Sequence, residues 1–522
     1  MLDLLKKLFK KKNIEVKIEK VESKEYEEAD FETAISSASF GKFNLLIIIL
    51  AIPMCWTTIF ETTTMSYVFP AAQCDLNLSL EDKGLLNAIT YAGTFVSAFV
   101  WGFLFDTFGR RKLLIVGFFL NAIFAVLGSF SQTLEFLMVM KFMGGFIMSG
   151  PFAALTTYLS EIHSVSYRPK APMLLGLWNA AGSLYLPLLA SFVLPLKIEW
   201  KIGHWVFHSW SLFLLINSIP PIMSAAIFVF LPESPKFLMS QGKNEEALEV
   251  FRMIYSMNTG KPKDTYPVRK LVKERGEIEE VENKERKSLV KGVKDGWQQM
   301  RPLFHAPFLK ILLLVCSIQL FMTMSLNTLR LWFPQLFQAI TDYKFKYGKS
   351  STLCEMLSVL HPKEEEDECF VNTDNLEVYR NSMIVSITQV CSYLLAGSLV
   401  NLLGQNFLLN IVSLLSGSFA AGIYFSPNSE IATALIAGFT SLASIGTNAI
   451  LIVVVNLFPT TLRTMTVSLA MMCGRGAAMC GNIIFPYLLE LGCGPPFFSA
   501  ACIMFLSFIL SLLIPKQNKN FI

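Results

Sequence analysis

The chain has 522 residues, of which 53% are hydrophobic and 16% charged, with a mean hydropathy of +0.49. A soluble globular chain carries roughly a quarter charged residues, so that class is excluded, and 44 Phe suit helices that face lipid. A net charge of +4 is too small and too scattered to predict a nucleic-acid partner. The composition predicts an all-α polytopic membrane protein whose main partner is the lipid bilayer.

In chain order, a charged N-terminal tail (1–42) comes first, with Lys6, Lys7, Lys10, Lys11 and Lys12. Its MLDLLKKLFKKK start fits either a basic amphipathic helix on a leaflet or an unstructured tail. The first apolar stretch opens near Phe43 and reads as an uncleaved span. A bilayer core of about 30 Å needs roughly 20 apolar residues per helix. On that rule, spans are predicted at 43–68, 85–105, 113–131, 137–159, 173–195 and 211–231. A polar linker (232–307) follows, and then spans at 308–336, 383–403, 407–426, 431–457, 465–489 and 497–514. The domains are therefore an N-terminal six-helix half (43–231), the linker, a C-terminal half (308–514) and a short tail (515–522). Lys and Arg in the tails, the linker and the turns at 110–112 and 168–170 place both termini in the cytoplasm. The loop 338–379 is then extracytoplasmic. It carries Cys354, an acidic run and Cys369, two cysteines that could form a disulfide there. Asn77-Leu-Ser79 is a glycosylation sequon on the same side.

GFLFDTFGRRK (102–112) crowds an acid and three bases between two apolar runs. Gly102 and Gly109 permit close approach and a tight turn. Asp106 can accept from a neighbouring helix end, while Arg110 and Arg111 hold the turn in the cytoplasm. This stretch resembles the G-x-x-x-D-R-x-G-R-R signature of the major facilitator superfamily, with Thr107 where that family usually has Arg. Glu161 and Arg168 are similar to the family's E-x(6)-R pair. LPESPKF (231–237) and LFPTTLR (457–463, ending in Arg463) resemble segments of sugar and organic-ion porters. FHSW (207–210), VFPAA (68–72), LWNAAG (177–182) and LRLWFPQLF (329–337) resemble the synaptic vesicle glycoprotein 2 group over about residues 38–515. The resemblance implies a major facilitator fold: twelve transmembrane helices in two six-helix halves, with a conformational gate at the signature residues. A long luminal domain of that group has no counterpart in a loop of about forty residues.

An interior charge costs about 2.5–3.5 kcal/mol at the bilayer centre, so each one asks for a role. Glu61 and Lys141 share a depth in the outer third, and the fold implied by the resemblance turns spans one and four to the cavity. An ion pair between them is expected, with snorkelling of Lys141 as the alternative. Arg330 reads as an interfacial anchor, or as an outer gate or cargo contact. Arg475 lies about 17 Å into span eleven, near the midplane, where organic-anion porters have Arg. A guanidinium there suits a carboxylate or sulfate. Trp178 matches the resembled group as an aromatic wall or a helix-packing residue, and Asn448 remains from its span-ten motif. Acids of the resembled pattern are missing at Thr58, Leu451 and Asn456, which leaves Glu61 as the candidate for a coupling ion.

The chain has no phosphate-binding loop, nucleophile elbow or zinc-spaced cluster, so no enzyme, cofactor or metal site is predicted. The function expected is secondary transport of a small organic solute, anionic if Arg475 binds it, by a monomer in the plasma or a vesicle membrane. The alternative is a transporter-shaped protein acting in vesicle trafficking or as a binding scaffold.

Overall fold

The computed structural model describes residues 26–168, 170–203, 205–272, 301–360 and 376–515. The N-terminal half is built from α2 (Lys42–Ala72), α3 (Leu80–Phe108), α4 (Arg110–Ser129), α5 (Leu134–Ile162), α6 (Lys170–Val193), and the pair α7 (Ser209–Ile216) and α8 (Ile219–Phe230). Ahead of it stand β1 (Tyr26–Ala29) and α1 (Phe31–Ser37), and between α6 and α7 a hairpin of β2 (Glu199–Ile202) and β3 (Trp205–His208). The linker contributes α9 (Pro235–Ser240), α10 (Asn244–Thr259) and β4 (Val268–Leu271). The C-terminal half comprises α11 (Phe308–Tyr347), the short α12 (Leu353–Leu357), α13 (Glu377–Leu403), α14 (Gln405–Tyr424), α15 (Ser429–Leu457), α16 (Thr460–Glu490) and α17 (Gly494–Leu512). Among the described residues ten helices, counting α7 and α8 as one, are long and apolar enough to cross a membrane. The helices α3 and α13 hold the second and eighth places in this order.

Helix starts follow the local chemistry. Ser79 and Asp82 close a capping box at α3, and Thr133 and Asn428 accept from the third residue of α5 and α15. Two elements differ from the expected spans. Span six is broken at Asn217–Ser218, because Pro220 and Pro221 cannot donate within a continuous helix. Span seven continues as helix to Tyr347, so the loop expected from 338 begins only after Gly348, the left-handed cap.

In the N-terminal half α3 and α4 pack on α5, and α2 packs on α6; in the C-terminal half α11 packs on α16, and α14 on α15 and α17. The halves meet where α3 lies on α16, α6 on α13 and α2 on α11. The bundle end that carries α1, α9 and α10 is the linker side; the opposite end is the far side.

The expected Cys354–Cys369 pairing is overturned. Cys354 is bonded to Cys493, with Cα atoms 5.4 Å apart and a sequence separation of 139. The chain turns back after α11, Leu353 N–H donates to Ser426 O (3.2 Å), and Cys354 reaches the start of α17. Cys74 is also disulfide-bonded, and Cys369 lies outside the described residues. Asn77 is exposed, in a left-handed conformation (φ 50°), at the far-side turn before α3.

Residues 26–41, read only as tail, fold against the linker. β1 runs parallel to β4, with Tyr26 opposite Val268 and Ala29 opposite Leu271. Asp30 caps α1 through Thr33, whose hydrogen bond holds its carboxyl below the usual carboxylate range. The Tyr266 hydroxyl donates to Ala34 O (2.6 Å), and burial raises that phenol above its usual range. Asn258, on α10, ties the segment down: its Nδ2 donates to Ser39 O (2.7 Å) and Asn44 Oδ1 (3.0 Å), and its Oδ1 accepts from Phe43 N–H (2.9 Å). Losing such a cluster leaves part-buried polar groups, the Phe43 N–H among them, without their partner, at up to about 1–3 kcal/mol for a buried one. Asn258→Ala is therefore expected to lower the thermal midpoint of the detergent-purified protein and to speed tryptic cleavage within residues 26–41. Unchanged digestion kinetics would contradict this role.

Candidate functional site

The turn at 109–111 is built around a carboxylate that the sequence reading did not single out. Gly109 has φ 87°, and a side chain there would strike Glu233 and Phe237. Glu233 Oε1 accepts from the backbone N–H of Arg110 (3.1 Å), Arg111 (3.0 Å) and Ser234 (2.9 Å). A carboxylate at the first turn of α4 also suits the helix dipole. Arg110 Nη2 pairs with Glu161 Oε1 (3.3 Å), whose other oxygen accepts from Ser234 Oγ (2.5 Å). Arg111 donates to Phe228 O (3.2 Å) and Val229 O (2.6 Å) at the end of α8. Glu161 and Arg168 are not partners of one another: Arg168 grips Glu32 with both carboxylate oxygens (3.0 and 3.1 Å). Gly102 and Asp106 lie in the stretch of α3 whose side chains are outside the described set. Arg463 stands at the start of α16, with a buried Nε that has no partner among the described residues.

Lys141 Nζ meets Glu61 Oε1 at 3.0 Å, and Asn121 Nδ2 donates to Glu61 Oε2 at 3.1 Å. All three side chains are buried. The pair faces away from the seam between the halves, which corrects the expected orientation. It lines a small, partly open pocket with Thr57, Asn121 and Asn217, between α2, α4, α5 and the broken α7–α8. Depth in a span was readable from the sequence, but rotation about the helix axis was not. Gly144 makes room for the carboxylate, since a Cβ there would overlap Glu61. Asn121, a lone amide inside an apolar span, was the signal that could have been used.

The seam carries a different chemistry. Arg475 on α16 reaches across it: Nη1 donates to Ser149 Oγ on α5 (2.8 Å) and approaches Thr94 O on α3 (3.5 Å). Arg330 on α11 donates from Nη2 to Asn327 Oδ1 (3.0 Å), and its Nε is buried without a partner. Among the described residues neither guanidinium has a carboxylate partner. Tyr91 on α3 meets the same Asn327 (3.4 Å), and Ser386 Oγ donates to Ser183 O across the seam (3.0 Å). Asn448 Nδ2 donates to the Tyr393 hydroxyl (2.9 Å). Trp178 Nε1 donates to Ile48 O (3.1 Å), joining α6 to α2, so its indole packs a helix interface. Trp56, Phe60 and Tyr185 form a stacked aromatic group on the same two helices.

Paired helix bundles of this layout, with interior charge and a signature turn on the linker side, define a multi-pass integral membrane protein of the major facilitator fold. The chain belongs to the Sugar (and other) transporter family, whose profile matches residues 57–330. Synaptic vesicle glycoprotein 2B of Rattus norvegicus is 27% identical over 343 residues, which is 63% of this chain and 50% of that one. Synaptic vesicle glycoprotein 2C of Mus musculus is 29% identical over 248 residues, 46% of this chain and 34% of that one. The chain thus spans about half the length, or less, of these relatives. Among solved structures, the inward-open xylose transporter XylE from E. coli superposes with a TM-score of 0.64 at 15% identity, covering 92% of this chain and 98% of that one. A partially occluded inward-open form of it gives 0.64 at 14%, covering 91% and 100%. At such identity the likeness speaks for the fold.

Removing one partner of a buried ion pair strands the other, at about 3–5 kcal/mol. Lys141→Met is expected to lower thermal stability sharply, and Glu61→Gln added to it should restore most of the loss. Equal midpoints for the single and double variants in a thermal melt would refute the coupling.

Proposed function

We propose that the chain is a secondary transporter of a small organic anion, its halves (43–231 and 308–514) rocking about a midplane site. The observation that carries this reading is Arg475, held across the seam, among the described residues, by neutral acceptors. A carboxylate or sulfate brings a charge-assisted, bidentate partner that Ser149 and a carbonyl cannot match. Discontinuous or signature helices around a midplane charge suit alternating access. The disulfides on the far side, with the basic turns on the linker side, support cytoplasmic termini. Glu61, shielded from the seam, is the proposed coupling-ion acid, and Asn77 the glycosylation site; the protein acts as a monomer in a plasma or vesicle membrane. The gate comprises Gly102, Asp106, Gly109, Arg110, Arg111, Glu161, Arg168 and Arg463.

Uptake of radiolabelled carboxylates into proteoliposomes tests this. Arg475→Ala should reduce uptake at least about tenfold, the scale of one charge-assisted hydrogen bond, at equal protein incorporation. Unchanged uptake removes Arg475 from the site. A scaffold function is the second reading, favoured by the folded module of residues 26–41 and the linker. Absence of flux across a broad solute panel, with selective partner capture by residues 1–42, would establish it instead.

A further inference from the structure

The FHSW stretch (207–210) has no part in the chemistry of the seam, yet it mounts the β2–β3 hairpin on the far side. His208 Nδ1 stands 3.3 Å from Asp75 Oδ2, and the Trp210 indole N–H donates to the same oxygen (2.7 Å). Gln132, in the turn between α4 and α5, pairs with the hairpin as a strand would. Its Oε1 accepts from Val206 N–H (3.1 Å), and its Nε2 donates to Val206 O (3.0 Å). The hairpin is thus held against the far-side ends of α2 and α4. Its two faces differ. Trp200 lies opposite Phe207 in the register and Trp205 is two residues from Phe207, so these three rings share one face. Glu199 and Lys201 take the other face, where they pair at 2.9 Å. Rings of this size are mostly buried in folded chains, but Trp200 is 64% exposed and Trp205 55%. Among the described residues these are the two exposed tryptophans.

What covers that face follows from α4. Val116, Phe119, Ile123, Leu127 and Phe130 are exposed at the three- and four-residue spacing of one helix face. In a helix that crosses a bilayer, such an apolar stripe faces lipid. The 20 residues of α4 rise about 30 Å, one hydrocarbon thickness. With Arg110 and Arg111 at its linker-side start, Phe130 falls at the far-side boundary of the bilayer. Phe130 packs on Phe207 (ring centroids 5.8 Å apart) and on Trp205 (6.5 Å). The aromatic face therefore continues the lipid stripe, at the depth where indoles favour the headgroup region.

We infer that the aromatic face of the β2–β3 hairpin, formed by Trp200, Trp205 and Phe207, is a lipid-docking surface inserted at the headgroup–acyl boundary of the far-side leaflet. Lipid is the occupant because the face is continuous with the exposed stripe of α4 and level with the end of that helix. Glu199 and Lys201, both exposed on the opposite face, stay in water. Gln132 and Asp75 tie the anchor to the turns after α4 and α2. The inference is independent of what the chain carries.

The test is quenching of Trp emission from the full chain in vesicles of phosphatidylcholine brominated either just below the headgroup or near the chain ends. Trp200→Phe with Trp205→Phe removes both indoles while keeping an aromatic ring at each position. Wild type is expected to lose roughly twice as large a fraction of its emission to the shallow bromines as this double variant. Iodide in the buffer should quench the two proteins alike. Equal shallow quenching of wild type and variant overturns the inference. So does a wild-type excess seen with iodide and absent with the brominated lipids, which leaves the face in water. A face shielded from both quenchers, with crosslinked dimers that Trp200→Ala with Trp205→Ala abolishes, assigns it to a second copy and overturns lipid as the occupant. Should the double variant fail to fold, wild type alone decides: deep bromines quenching more than shallow ones overturn the inference, and the reverse order upholds it.

Discussion

Glu233 gathers three backbone amides on one carboxylate oxygen, and the linker side of the N-terminal half is organised around it. Through those bonds the linker is fixed to the start of α4. Through Arg110 and Ser234, Glu161 fixes the end of α5 to the same point. Arg111 adds the end of α8, and Arg168 adds α1. Five segments that would otherwise fray at a membrane surface become one rigid block. A helix start needs acceptors for its first amides, and here the acceptor comes from another element, so the cap doubles as a tertiary lock.

The charged locks described above lie within the N-terminal half and the tail and linker segments folded on it, whereas hydrogen bonds that bridge the halves among the described residues include neutral-acceptor bonds: Arg475 to Ser149, Tyr91 to Asn327, Ser386 to Ser183. The distribution suits the proposed rocking of the two halves: a block that turned as a unit would gain from strong internal pairs, while a joint that opened and closed would be hindered by a buried ion pair worth several kcal/mol. The Glu61–Lys141 pair fits the first category, since it is enclosed by four helical elements of one half.

Much of this was legible in the residues. Apolar runs of about 20 residues located the spans, because bilayer thickness leaves little choice of length. Arg475 stood out because intramembrane charge is rare. The unread parts have physical causes. Pro220–Pro221 sits inside an uninterrupted apolar run, so hydropathy hid the break in span six. Cys354 and Cys369 are close in sequence, but chain reversal after α11 brings Cys354 to Cys493. The pairing of Glu61 and Lys141 followed from shared depth, yet the face on which they meet depends on helix rotation. Strand β1 was invisible because four residues acquire strand geometry only by pairing with β4, some 240 residues away.

The Cys354–Cys493 bond has a topological consequence. It closes a ring, across a sequence separation of 139, that contains α13, α14, α15 and α16 entire, and leaves α11 and α17 at its two ends. A peptide bond cut anywhere inside that ring does not divide the molecule, because both fragments stay joined at the far face. The segment after α11 and the start of α17 are thereby tied covalently on the far side, and cannot separate there without breaking the bond.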